Sequence, residues 1–158
     1  MRFLLLVMIF NFSFYSGSAF ANADTDIDFI ISAKKPPNGV VFEVVAGSES
    51  ALKPALEKID GYIARLKKAL PNIQLSVVTH GTEEFALLKE NKTRFKSSHQ
   101  KVQSLVSSDV PVHVCGTHAS WYDFNNKDFP DYVDVVVAGP AKIREYQRKG
   151  YTLINVEN

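Results

Sequence analysis

A single cysteine, Cys115, among 158 residues leaves no partner for an internal disulfide, so packing must hold the fold. The CxxC pair of thioredoxin-like proteins is missing with it, which excludes an internal dithiol–disulfide cycle. Charge of either sign is scarce in excess: 18 basic residues face 17 acidic ones, and no Lys/Arg run or basic stripe occurs. The electrostatic footprint of a nucleic-acid binder is therefore lacking. Phosphate-binding GxxxxGK[ST], dinucleotide-binding GxGxxG, nucleophile-elbow GxSxG and zinc-protease HExxH are all absent. No cofactor is expected.

What is present begins with an export signal. Arg2 supplies a short positive region, Phe3 to Phe10 form an unbroken apolar run, and Ala19-Phe20-Ala21 gives the small-x-small pattern of signal-peptidase sites. The run stops at Asn11, well short of the ~20 residues that cross a bilayer. Residues 1–21 are thus expected to be removed, leaving a periplasmic or secreted protein without stable membrane insertion. An uncleaved anchor is the competing reading, because Phe12, Phe14 and Tyr15 prolong the apolar character. Loss of Arg2 leaves 17 basic against 17 acidic residues.

Residues 22–38 are expected to form an amino-terminal arm, and residues 39–158 one α/β domain large enough to bury its own core. Pro36-Pro37-Asn38-Gly39 separates the two. Five β-branched runs follow: Val40–Val45, Ile73–Val78, Val110–Val114, Val133–Val137 and Thr152–Val156. They are nearly continuous rather than alternating, which is how strands covered on both faces read. Leu56, Ile59, Ile63, Leu66 and Leu70 step by three and four along one face of a helix. Shorter helices are marked by Phe85 and Leu88, by Val102, Leu105 and Val106 with Ser97 or Ser98 as cap, and by Ile143 and Tyr146 between Gly139-Pro140 and Gly150. Strands separated by helices imply βαβ crossovers. The expected fold is a three-layer α/β/α sandwich with a mostly parallel five-stranded sheet.

Ligands of such sheets bind beyond the carboxyl ends of the strands. Cys115 stands there, followed by Gly116, which lets the backbone turn and expose the sulfur. His118 is close enough in sequence to act as acid, base or cationic neighbour. His80, at the end of another strand, is the third candidate if the two strands adjoin. His113 reads as a hydrogen-bonded sheet residue and His99 as a solvated one. A buried, inert cysteine is the competing interpretation. A metal held by Cys115, His118 and His80 is another, since the ligand types suit zinc or copper although the spacing is not characteristic. Trp121, Tyr122 and Phe124 offer either an apolar lid over the sulfur or a subunit contact.

Three stretches together resemble the DsrE/DsrF-like family: Val77-Val78-Thr79-His80-Gly81, Val112-His113-Val114-Cys115-Gly116, and the tail from Val133 to Ile154. The resemblance implies a small α/β/α protein that assembles as a trimer or hexamer. It also implies sulfur relay, with a persulfide carried on the cysteine that Cys115 matches, and a sulfur donor or acceptor protein as partner. The relay proteins of the family are cytoplasmic, whereas this chain carries an export signal. The expected function is sulfur handling or transfer through Cys115, with His118 and His80 tuning it. The alternative is a non-catalytic oligomeric module that holds a metal or small ligand at the strand ends.

Overall fold

The structure, a computed structural model, describes residues 22–156; the expected signal at 1–21 lies outside them. Five strands, β1 (Gly39–Val44), β2 (Gln74–Thr79), β3 (Val112–Cys115), β4 (Asp134–Val136) and β5 (Tyr151–Asn155), pair in the order β4-β3-β2-β1-β5. All four pairings are parallel. Among the described residues five α-helices accompany them: α1 (Ala23–Ser32), α2 (Leu52–Ala69), α3 (Lys96–Ser107), α4 (Gly116–Ser120) and α5 (Gly139–Arg148). The α/β fold with helices on both faces is the one expected.

Topology follows from the handedness of parallel crossovers. From β1 to β4 the chain steps in one direction, so its connecting helices fall on one face; the return to β5 at the far edge puts α5 on the other. Alternating side chains serve the two faces separately. Val40, Phe42 and Val44 join the main core with Leu56, Ile59 and Leu66 of α2, whereas Val41 joins Val78, Ile143 and Tyr146 beneath α5. Strands buried on both sides therefore show no polar alternation, as their composition suggests.

Several boundaries move. The third strand begins after Pro111, which has no N–H to give a ladder, and runs one residue further to include Cys115. The third helix starts at Lys96 with Phe95 in the capping position, so the two expected caps, Ser97 and Ser98, both lie inside its first turn, Ser98 buried. His99 is not solvated: only 1% exposed, it bonds through Nε2 to the Ala86 carbonyl at 3.0 Å and through Nδ1 to the Tyr132 hydroxyl. Those bonds satisfy an imidazole that burial would otherwise penalise. His113 is the hydrogen-bonded sheet residue expected, set between Asp134 Oδ2 at 2.7 Å and the Tyr146 hydroxyl at 2.8 Å.

The segment 22–38 contains α1. Asn22 caps it by accepting the Asp24 amide at 3.0 Å. Ile27 and Ile30 sink into the main core, and Arg65 of α2 reaches Asp24 and Asp28 at 2.6 Å each. The exposed ion pairs contribute little beside the buried isoleucines. Among the described residues no helix is long and apolar enough to cross a membrane.

Ile27→Ala is expected to cost about 2–4 kcal/mol, the usual penalty for emptying a fully buried aliphatic site. Urea unfolding reads it as a lower midpoint at unchanged slope. An unchanged midpoint would show that α1 frays independently of the domain.

Candidate functional site

The three residues singled out from sequence meet at the carboxyl end of the sheet. Register brings His80 towards Cys115: Val78 pairs with His113 and Thr79 with Val114, and the residues that follow are His80, just past the end of β2, and Cys115. Strand alternation puts both on the α5 face. On that face α5 starts directly over His80, where a Cβ on Gly139 would lie 2.7 Å from the His80 Cβ. Only glycine permits so close a start. His80 Nε2 is held by Glu43 Oε1 at 2.8 Å, from the neighbouring β1.

Cys115 ends β3 and opens α4, and its Sγ accepts the His118 N–H at 3.4 Å. It is 5% exposed, so the sulfur is buried rather than displayed. The His118 ring bonds Glu84 Oε1 through Nδ1 at 2.9 Å, while Glu84 Oε2 accepts the Cys115 amide at 2.8 Å. One fully buried carboxyl thus grips both the cysteine backbone and the histidine ring. Burial pushes the Glu84 carboxyl up to about 8; the Cys115 amide opposes that rise and the Glu83 charge adds to it. Burial also holds His118 below the usual imidazole value, with the Glu83 charge opposing and His80 assisting.

Glu83 is fully buried as well, but its setting is different. It collects three donors: the Thr79 hydroxyl at 2.5 Å, the Gly81 amide at 3.0 Å and the Ala46 amide at 2.5 Å. These tie the end of β1 to the end of β2. Gly81 makes the tie possible, since a Cβ there would meet Glu83 Oε2 at 2.5 Å and the Ala46 backbone oxygen at 2.7 Å.

An aromatic layer covers the far side. His118 stacks on Phe85 with centroids 5.2 Å apart and planes 5° from parallel. Tyr122 and Phe124 close on Phe85 at 4.9 and 5.3 Å, and Trp121 lies edge-on to His118 at 5.6 Å. Phe124 is half-buried against the core, whereas Trp121 is 73% exposed. Beside α4 a cleft of about 350 Å³ opens between Thr117, Asn125, Val136 and Val137.

Glu43, Glu83 and Glu84 are the site residues that sequence reasoning passed over. Their one signal is position: Glu83 and Glu84 stand between the strand end Thr79-His80-Gly81 and the apolar Phe85-Ala86-Leu87-Leu88. Among the described residues, no group of three or more His, Cys, Asp and Glu is arranged to hold a metal ion.

The DsrE/DsrF-like family model matches residues 45–156 of the chain. In a solved structure, a protein of unknown function from Methanobacterium thermoautotrophicum, MTH1491, has a similar fold with a TM-score of 0.60 at 21% identity. The similarity covers 73% of this chain and 96% of that one. No curated protein matches.

Two outcomes follow from this geometry. Gly81→Ala, which drives a methyl into backbone and a buried carboxylate, is expected to destabilise by about 2 kcal/mol or more in urea unfolding. The folded chain also keeps a proton on Glu84 that the unfolded chain releases near 4.5. This contribution to stability is full below that pH and is lost progressively as pH rises to about 8. Glu84→Gln cannot ionise and is expected to flatten that slope. Equal slopes in urea midpoints across the window would contradict it.

Proposed function

The chain belongs to the DsrE/DsrF-like family, and from that premise we propose that it carries sulfur as a persulfide on Cys115. The observation that carries the reading is the setting of the one thiol: at a strand end, with a backbone donor on its sulfur and its own amide and the His118 ring held by one buried carboxyl. The family is associated with sulfur relay, and this constellation supplies what relay needs.

A thiolate is the attacking species. The His118 amide donates to Sγ and so fixes where the attacking sulfur sits. With an alkyl persulfide as donor, the Cys115 thiolate attacks the terminal sulfane sulfur. The new S–S bond forms as the donor's S–S bond breaks, and the departing thiolate takes up a proton. Cys115–SH and R–S–SH become Cys115–S–SH and R–SH, with no external oxidant or reductant. Release to an acceptor thiol reverses the same exchange. Near-complete burial suits a carrier, because a persulfide shielded from water and stray thiols survives until hand-over.

Export and assembly belong to the same proposal. Cleavage after Ala21 would leave Asn22 in place as the cap of α1. Fractionation with amino-terminal sequencing of the mature chain tests the first, and light scattering the expected trimer or hexamer.

Exposed to polysulfide or thiosulfate, the protein is expected to gain the mass of one sulfur atom. The gain should disappear on treatment with a reducing thiol and be absent in Cys115→Ser. An unmodified native chain, under conditions where a control thiol is converted, would overturn the reading.

A further inference from the structure

Glu84 is buried and already placed by two hydrogen bonds, yet the sulfur chemistry above gives its carboxyl no task. We propose that Glu84 and His118 form one proton-holding pair, in which Glu84 is the positioning residue and His118 Nε2 the atom that gives a proton to the departing thiolate. The inference rests on the sulfur-carrier reading of Cys115.

The geometry determines where protons can sit. Glu84 Oε2 is committed to the Cys115 N–H, so only Oε1 is left to exchange a proton with His118 Nδ1. Glu84 is fully buried and the His118 ring largely so, and burial favours the neutral form of each. The carboxyl O–H then donates to Nδ1, and the ring's own proton is on Nε2. When the pair loses a proton, it leaves from Nε2, while the proton of Oε1 crosses to Nδ1. The deprotonated pair is a carboxylate accepting from Nδ1–H. The charge ends on Glu84, but the exit is on the ring, which is 13% exposed.

The titration belongs to the pair rather than to either member. Burial, which pushes Glu84 up to about 8 and His118 down, agrees with a pair that is neutral at physiological pH and yields its proton just above it. The groups facing the pair are Glu83 on the same segment, His80 at the end of β2 and Cys115 at the end of β3; Tyr122 adds an aromatic edge at 5.3 Å. The proton balance of a turnover closes. Cys115 ionises and releases its proton to solvent, its thiolate takes the sulfane sulfur, and the departing thiolate receives the Nε2 proton. Solvent then restores the pair.

The test follows loading of the full chain from glutathione persulfide across pH, in native protein and in Glu84→Gln, with iodoacetamide alkylation of Cys115 in parallel. Glutamine keeps an oxygen for the Cys115 amide but cannot exchange a proton. Loading by the variant at neutral pH is expected to fall ~100-fold, the lower end for lost acid–base assistance. Its pH profile should lose the break near 8. Alkylation expels iodide and needs no proton donor, so it should change little. Equal slowing of both reactions would mark a merely structural role and overturn the proposal, as would identical pH profiles. Nitrogen NMR of His118 in native protein needs no variant: Nδ1 bare at neutral pH and protonated above about 8 supports the pair. Nδ1 protonated throughout, or an imidazolium at neutral pH, overturns it. Should native protein take up no sulfur at all, the carrier reading falls, and the NMR result alone decides whether the pair exists.

Discussion

Two consecutive buried carboxyl groups hold together the working end of this sheet. Glu83 gathers donors from the ends of β1 and β2, and Glu84 takes the amide at the end of β3. Three strands that would otherwise finish independently are thereby fixed relative to one another. Burying a carboxylate is costly unless its lone pairs are filled. Glu83 has three donors, whereas Glu84 has one amide and one imidazole, and burial pushes its carboxyl up to about 8. Adjacent residues of the same type thus sit in different settings because their partners differ. The Glu83 charge reinforces the contrast by discouraging a second charge next to it.

The same end of the sheet depends on close backbone approach. Gly81 lets the chain run against Ala46 and the Glu83 carboxylate, and Gly139 lets α5 begin on top of His80. Because α5 is the sole helix packed on its face among the described elements, its first turn decides how deeply His80 is covered. On the opposite side, Phe85 carries His118 on its ring, and Tyr122 and Phe124 support Phe85. This end of the sheet therefore has a fixed helix start on one side and, on the other, an aromatic stack whose outer members Trp121 and Tyr122 are exposed and have the least packing to lose.

Much of the architecture was legible because it rests on local chemistry. The β-branched runs, the apolar stripe of α2 and the Gly-Pro start of α5 each carry a signal within a few residues. Strand order carries none: proximity of His80 to Cys115 depends on β2 adjoining β3, a property of crossovers and not of either segment. The helix at Ala23–Ser32 was hidden in a segment with three aspartates, whose apolar face is only two buried isoleucines wide. The burial of His99 has no local signal, because its partners, Ala86 and Tyr132, come from other parts of the chain. The glutamates escaped for a related reason. An acidic pair in a loop normally reads as solvated, and only the folded chain shows that their donors come from β1, β2 and β3.

A lone cysteine decides what kind of chemistry such a site can perform. Without a second thiol, no disulfide can form within the chain, so any sulfur accepted must be passed to another molecule or remain. Transfer then depends on two opposed requirements. The thiol must ionise to attack, and the leaving thiolate must be protonated to depart. In the proposed division of work the Cys115 proton goes to solvent, and a separate buried pair keeps one for the group that leaves. On this reasoning the carboxyl beneath Cys115 belongs to the reaction even though it never touches the sulfur, and the three strands it helps align are what keep its proton within reach.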